Sequence, residues 1–450
     1  MIKKTAILIA MLVCACACKY TGEWAKVKEI EKNIILPTFR QADYPVTDFG
    51  AVGDGQTDAV KAINKAIFTC AMDGGGRVVI PAGNFFCKGS VIMKSNVNLH
   101  FEDGARLTFS GEIEDFLPAV LTRWEGVEVF SHSPMVYGYN LHNIAITGKG
   151  VIDGRGSYGI KQLKHKQDYE QHHLWDLGAE GVPVYERLYG EGHILRPAMV
   201  ELMGCNKILL EDVQLTDCTF WCWHLIACTS ATVRRISVDS SNYNNDGVDP
   251  ESSSDVLIED CYFKTGDDGI AIKSGRDQDG WRLGSPSENI IIRNCVFDAK
   301  TNSICIGSEI SGGVQNVFVE DCVVKQGREA IYLKSNRERG GYIRNVHVRN
   351  IQVDSVIKSV ICITADYHSK TYNCTTPIEN INVSNVTARH ADLHGIFLSG
   401  FDALPLKDIN ISDVCIEDTP DPIYLNKVNG LTLKNVTING KAVSAPRNTD

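Results

Sequence analysis

One short phrase recurs along the second half of the chain and limits what it can fold into. Asp255-Val-Leu-Ile-Glu-Asp-Cys-Tyr-Phe263 is echoed by Asn289-Ile-Ile-Ile-Arg-Asn-Cys-Val-Phe297 and by Asn316-Val-Phe-Val-Glu-Asp-Cys-Val-Val324. The pattern returns at Asn345, Asn380 and Asp408, with weaker copies at Asn143, Lys207, Ser230 and Gly430. From Lys207 onward the starts are about 28 residues apart, a period typical of stacked repeats. Each copy alternates apolar residues, is rich in Val and Ile and lacks Pro, so it reads as strand. Five residues after each start stands Asp212, Asp260, Asn294, Asp321, Asn350, Asn385, Asp413 or Asn435, with Arg235 the exception. Asp and Asn tolerate left-handed backbone and bond to neighbouring amides, which suits a corner between strands. The next position is Val, Ile or Cys, and a stacked inward column accounts for Cys261, Cys295 and Cys322 without chemistry. Strands of this period with no long helix between them predict an all-β chain, a right-handed parallel β-helix with coils about 4.8 Å apart.

A solenoid needs closed ends. Thr57 to Cys70 has Val60, Ile63, Ala66 and Ile67 on one helical face and Thr57 or Asp58 as N-cap, and is expected to plug the first coil. Asp153 to Leu195 breaks the repeat, is polar, and is expected to form a long loop over one face. Lys3 and Lys4 before the apolar run Ala6–Val13, followed by Cys14, Cys16 and Cys18, read as an export signal of lipoprotein type. The expected division is a signal over 1–18, a tether over 19–43 and one catalytic β-helix over 44–450. The expected location is the bacterial periplasm or an outer membrane, with Cys16 or Cys18 acylated and no other membrane contact. The remaining thirteen cysteines are odd in number and give no disulfide framework. With a net charge of −10 the chain is a poor partner for nucleic acid, and it is expected to be monomeric.

Position within the repeat places chemistry. Asn244, Asp246 and Asp249 lie 14, 16 and 19 residues into one unit. Asp267 and Asp268 lie 12 and 13 into the next, Asn302 lies 13 into the third, and Tyr332 and Lys334 lie 16 and 18 into the fourth. Similar phase in consecutive coils predicts one face, so three or four carboxylates converge with a lysine beyond them. Crowded carboxylates and a nearby ammonium drive pKa values apart, which lets one acid donate a proton while another stays ionised. Lys273, Arg276, Arg282, Lys334, Arg337 and Arg339 could meet a carboxylated substrate, and Trp281 could stack on a sugar. Taken singly, Asp246 and Asp249 also read as turn residues, Asp267-Asp268 as half of a calcium site, and His224 as a buried structural histidine.

Asn244-Asn-Asp246-Gly-Val-Asp249, Gly266-Asp-Asp268-Gly-Ile-Ala-Ile-Lys273-Ser-Gly and Ile304-Cys-Ile-Gly-Ser308 resemble, in this order, the motifs of glycoside hydrolase family 28, the polygalacturonase family. Tyr44-Pro-Val-Thr-Asp-Phe-Gly-Ala-Val-Gly-Asp-Gly55 resembles the opening of pectin-active β-helix proteins. The resemblance implies inverting hydrolysis of galacturonosyl bonds in pectic polysaccharide, without metal or cofactor. It casts Asp267 as general acid, Asp246 and Asp268 as the pair that activates water, and Asn244 as the asparagine of the first motif. It places Lys273, Arg276, Asn302, Tyr332 and Lys334 against substrate, and gives His224 a subsite role through the Trp-x-x-His region. Two positions depart from the family. Thr301-Asn302-Ser303 replaces Gly-His-Gly, and Tyr332-Leu333-Lys334 replaces Arg-Ile-Lys. Both positions flank the galacturonate next to the scissile bond, which implies a rhamnogalacturonan-type or oligogalacturonide substrate, and the insertion Asp153 to Leu195, by closing one end of a groove, favours attack from a chain end. A lyase on the same fold, with calcium in the acidic cluster, and a non-catalytic glycan-binding solenoid are the alternatives.

Overall fold

The computed structural model describes residues 20–369 and 374–445. The signal expected over 1–18, including Cys16 and Cys18, lies outside the described residues. The repeat closes into a right-handed parallel β-helix, as its period predicts. One wall is an eleven-stranded sheet, taken here as β1 (Val91–Ile92), β2 (Val136–Tyr139), β3 (Val200–Met203), β4 (Trp223–Ile226), β5 (Val248–Glu251), β6 (Ile270–Ile272), β7 (Asn302–Ile306), β8 (Glu329–Lys334), β9 (Ser359–Thr364), β10 (His394–Ser399) and β11 (Asp421–Asn426). These strands stack in chain order, each parallel to the last. The repeated phrases themselves form the second, larger sheet behind it.

The corners follow from side-chain chemistry. All nine repeat starts from Lys207 to Gly430 have positive φ, and so do the Asx positions five residues on. Arg235 adopts the same geometry (φ 51°) and pairs with Asp212, which offsets the strain of a long side chain there. The Asx residues also bond from coil to coil: Asn289 donates to Asp255 at 3.1 Å, Asn316 to Asn289 at 3.1 Å and Asn350 to Asp321 at 2.7 Å. The interior is a continuous apolar column, with Cys228, Cys261, Cys295 and Cys322 buried and unbonded within it. Burial pushes the Cys228, Cys295 and Cys322 thiols up, as expected of packing residues rather than nucleophiles.

Helix α1 (Ala25–Asn33) corrects the expectation of a tether over 19–43. Its Val27 and Ile30 are buried against Leu257, Ile291 and Phe318 on the outer face of the larger sheet. Outward apolar residues on three adjacent coils needed a cover, and this segment supplies it. Helix α2 (Val60–Met72) plugs the first coil as predicted, with Val60, Ile63, Ala66 and Ile67 buried. Asp58 accepts from the Val60 amide at 3.1 Å, at the start of that helix. Asp153 to Leu195 is not a plain loop. It contains helix α3 (Asp168–Ala179), whose buried Leu174 packs with Trp124, Val127 and Val129 of an outlying hairpin. The hairpin, Val120–Trp124 paired with Val127–Ser131, lies over the outer face of β3 to β5.

Candidate active site

The acids are delivered by backbone pairing between coils. Cys222 donates to the Asp246 carbonyl at 2.9 Å, Gly247 to that of Asp268 at 2.9 Å, and Gly269 to that of Asn302 at 2.7 Å. These bonds set the turns before β5, β6 and β7 side by side. Inside the coil Phe263 and Phe297 stack at 5.4 Å and press on the same turns. A Cβ at Gly247 would run into Phe263 and the Gly269 carbonyl, and one at Gly269 into Phe297. Glycine lets the acidic turns lie directly on the aromatic core.

Asp246, Asp267 and Asp268 line one cleft of about 690 Å³ together with Asn244, Lys273, Arg276 and Lys334. Seven of the expected residues therefore share a site. Asp267 is only part-buried, whereas Asp246 and Asp268 are almost fully buried. Thr301 Oγ1 donates to both Asp267 and Asp268 at 2.8 Å. Asp268 also accepts from the Asn302 amide nitrogen at 3.1 Å, and Lys334 Nζ stands 3.2 Å away. Burial pushes the Asp268 carboxyl up, but Lys334, Lys273 and these donors outweigh it and hold it at about 2. Asp267 goes the other way, raised by burial and by the Asp268 charge. Burial, Asp249 and Asp267 also push Asp246 well up. Two neighbouring carboxyls are thus shifted in opposite directions, the condition for acid–base work.

Lys273 Nζ sits 3.6 Å from Asp246, 3.6 Å from Asp249 and 3.5 Å from Glu309, and 4.5 Å from the centre of the Trp221 ring. Arg276 bonds Glu309 at 3.0 Å and lies 3.7 Å from the Trp175 ring of α3. Arg339 lines the cleft, but Arg282 is engaged by Glu128 and Asp279 outside it. Trp281 is also outside, its indole N–H holding the Arg339 carbonyl at 2.7 Å.

Three expected substrate contacts do not reach the cleft. His224 is 1% exposed, between Glu201 at 3.2 Å and Glu251 at 2.8 Å. It points outward from β4, but the hairpin covers that face and Arg123 completes the charge cluster. Burial would neutralise the imidazole; the two carboxylates reverse this and raise it to about 9. Asn302 spends its side-chain N–H on Asp268 at 2.5 Å, and so positions that acid. Tyr332 aligns with Cys305 and Cys362 beside the cleft and lines an adjoining cavity.

The sequence reading missed Arg196 and Glu309. Arg196 is fully buried and donates to Asn244 Oδ1 at 2.6 Å, and Asn244 in turn reaches Asp267 at 3.5 Å. Nothing in its local pattern signals this. Glu309, which gathers Lys273, Arg276 and Arg339, directly follows the Gly-Ser of a recognised motif. The far wall is contributed by His172, Trp175, Asp176 and Ala179 of α3 and by Glu125 of the hairpin.

Comparison with known proteins agrees with this architecture. The model of glycosyl hydrolases family 28 matches residues 70–429. A probable polygalacturonase of Vitis vinifera is 29% identical over 82% of this chain and 73% of its own. An exo-poly-alpha-D-galacturonosidase of Dickeya chrysanthemi is 24% identical over 89% and 74%. The crystal structure of a hyperthermoactive exopolygalacturonase from Thermotoga maritima superposes with a TM-score of 0.87, at 35% identity over 92% of this chain and 96% of that one. With a parallel β-helix and a cleft carrying the family's acidic motifs in order, this chain belongs to glycoside hydrolase family 28.

Proposed function

We propose that the protein hydrolyses α-linked galacturonosyl bonds of pectin with inversion, from a chain end, on rhamnogalacturonan-type chains. The observation that carries the reading is the unequal setting of two adjacent carboxyls, Asp268 paired with Lys334 and shifted down, Asp267 without that partner and shifted up. Asp267, its carboxyl raised by burial and by the Asp268 charge, gives its proton to the glycosidic oxygen as the bond breaks. Asp268, held ionised by Lys334, takes a proton from water attacking the opposite face of the ring, with Asp246 orienting that water. The atoms balance: water gives its hydroxyl to the anomeric carbon and its proton to Asp268, the leaving sugar keeps the Asp267 proton, and exchange with solvent afterwards returns a proton from Asp268 to Asp267. Lys273 and Arg276 are the cations next to these acids and suit the carboxylate of the ring being cleaved.

End attack is supported by α3 and the hairpin, which wall off the side of the cleft towards the N-terminal coils. Rhamnogalacturonan is supported by the replacements at the two family positions. Neither Asn302 nor Tyr332 offers a cation to the ring beyond the scissile bond, and a neutral rhamnose there needs none. The calcium-lyase reading is disfavoured because Lys273 and Lys334 already supply the positive charge among the acids. Export with acylation at Cys16 or Cys18 is part of the proposal and rests on the leading sequence. The test is product analysis by proton NMR on homogalacturonan and rhamnogalacturonan oligosaccharides in parallel. β-Galacturonate released from the end of the second supports the proposal. Random-length products, or cleavage of homogalacturonan alone, refute the corresponding part of it, and an unsaturated product refutes hydrolysis.

A further inference from the structure

Beyond Lys334 the cleft does not end. Tyr367 and His368 line both it and a second cavity of about 370 Å³ on the next coils, β8 to β10. Along its floor the outward positions of successive strands are in register, Tyr332 with Cys362, Cys362 with Phe397, and Phe397 with Tyr424. Phe397 and Tyr424 are parallel, 4.7 Å apart, and Tyr424 is 40% exposed. Such a surface suits the C–H face of a sugar.

The polar lining is unusual because it is unfinished. Glu329 is 4% exposed, lines the cavity, and its Oε2 has no hydrogen-bond partner. Arg328 and Lys358 line the same space and make no ion pair among the described residues, and the Arg328 Nε is buried and unbonded. A buried acceptor without a donor costs about 1–3 kcal/mol, so the site is arranged for a ligand that brings hydroxyls. Both cations act on Glu329 through space but make no contact pair with it, which leaves them able to hold an anion as well. A uronic acid residue carries both groups on one ring.

We infer that this second cavity is a distal subsite for a uronate residue of the same sugar chain, its carboxylate on Arg328 and Lys358, a hydroxyl on Glu329 and its apolar face towards Phe397. The inference rests on the proposed function and extends it. In an alternating chain, cleavage after galacturonate leaves rhamnose at the next position and galacturonate at the one beyond. The absent guanidinium at Tyr332 and the cations on the turns into β8 and β9 then describe one substrate, neutral ring first and acidic ring second.

The experiment measures binding by calorimetry with the full chain carrying Asp267→Asn, so that substrate persists. The probes are the alternating galacturonate–rhamnose disaccharide and tetrasaccharide. Adding Arg328→Ala or Lys358→Ala is expected to weaken tetrasaccharide binding about tenfold, the value of one charge-assisted contact, and to leave the disaccharide unchanged. Equal weakening of both probes, unaltered tetrasaccharide affinity, or no tetrasaccharide binding at all overturns the inference. Failure of the proposed function shows separately, as absence of new reducing ends when the unmodified protein meets either polymer.

Discussion

Replacing Lys334 with Met probes the electrostatics of the site most directly. The ammonium lies 3.2 Å from Asp268, an attraction of about 5 kcal/mol at an effective dielectric of about 20. Burial opposes it, and the net result holds the carboxyl at about 2 against the usual 3.8. That difference is roughly 2.4 kcal/mol in favour of the ionised form. Without Lys334 the Asp268 pKa is expected to rise by about 1–3 units. Lys334 also lowers Asp267, so the acid's pKa rises too. The pH profile of kcat/KM, measured on oligosaccharide hydrolysis, is therefore expected to shift as a whole towards higher pH, its acidic limb most. A depressed carboxylate stabilises the fold above its unfolded pKa and loses that contribution as pH falls through its folded value. The variant is accordingly expected to be about 2 kcal/mol less stable at pH 7, with the difference fading towards pH 2. An acidic limb that stays in place in a folded variant would refute the assignment of Asp268 as the ionised partner of Lys334.

Asp267→Asn is expected to lower kcat by about 10²–10⁴-fold with an unchanged melting temperature; near-normal turnover on any substrate of the wild type would sink its role as acid. His224→Leu leaves Glu201 and Glu251 buried with less compensation and is expected to cost about 3–5 kcal/mol in denaturant unfolding. With the imidazole raised to about 9, its contribution is full below the unfolded value near 6.5 and disappears as pH rises through 9. A wild type no less stable at pH 10 than at pH 6 relative to this variant would contradict that. Trp175→Ala removes the ring under Arg276 and is expected to raise KM about five- to thirtyfold, by loss of about 1–2 kcal/mol, with a smaller change in kcat. Cys16→Ser together with Cys18→Ser is expected to move the protein from the membrane to the soluble fraction, and an unchanged distribution would rule out acylation at either.

What the sequence reveals about this site depends on how far apart in the chain the cooperating groups are. Phase within a repeat is local information, and stacking turns it into proximity. Asp246, Asp268 and Asn302 are neighbours because Gly247 bonds the Asp268 carbonyl and Gly269 that of Asn302, a relation the period alone implies. Phase does not say whether a side chain's polar atoms are already taken. Asn302 is in the right phase, yet its amide is bound to Asp268. His224 faces outward like its neighbours in register, but a hairpin from about a hundred residues earlier closes over it and adds Arg123. Arg196 fixes Asn244 from just past the insertion that breaks the repeat, and α1 reaches the outer sheet from a stretch whose composition reads as a tether. Asn302 apart, these misses involve a segment outside the solenoid laid on its surface, where no period relates the two partners. The same distinction separates machinery from selectivity here. The acids and Lys334 are held in place by the coils themselves. The walls of the cleft come from α3 and the hairpin, and the cations of the second cavity from the turns leading into β8 and β9. These can change without disturbing the stack, and that is where a β-helix hydrolase is free to alter which sugar chain it accepts.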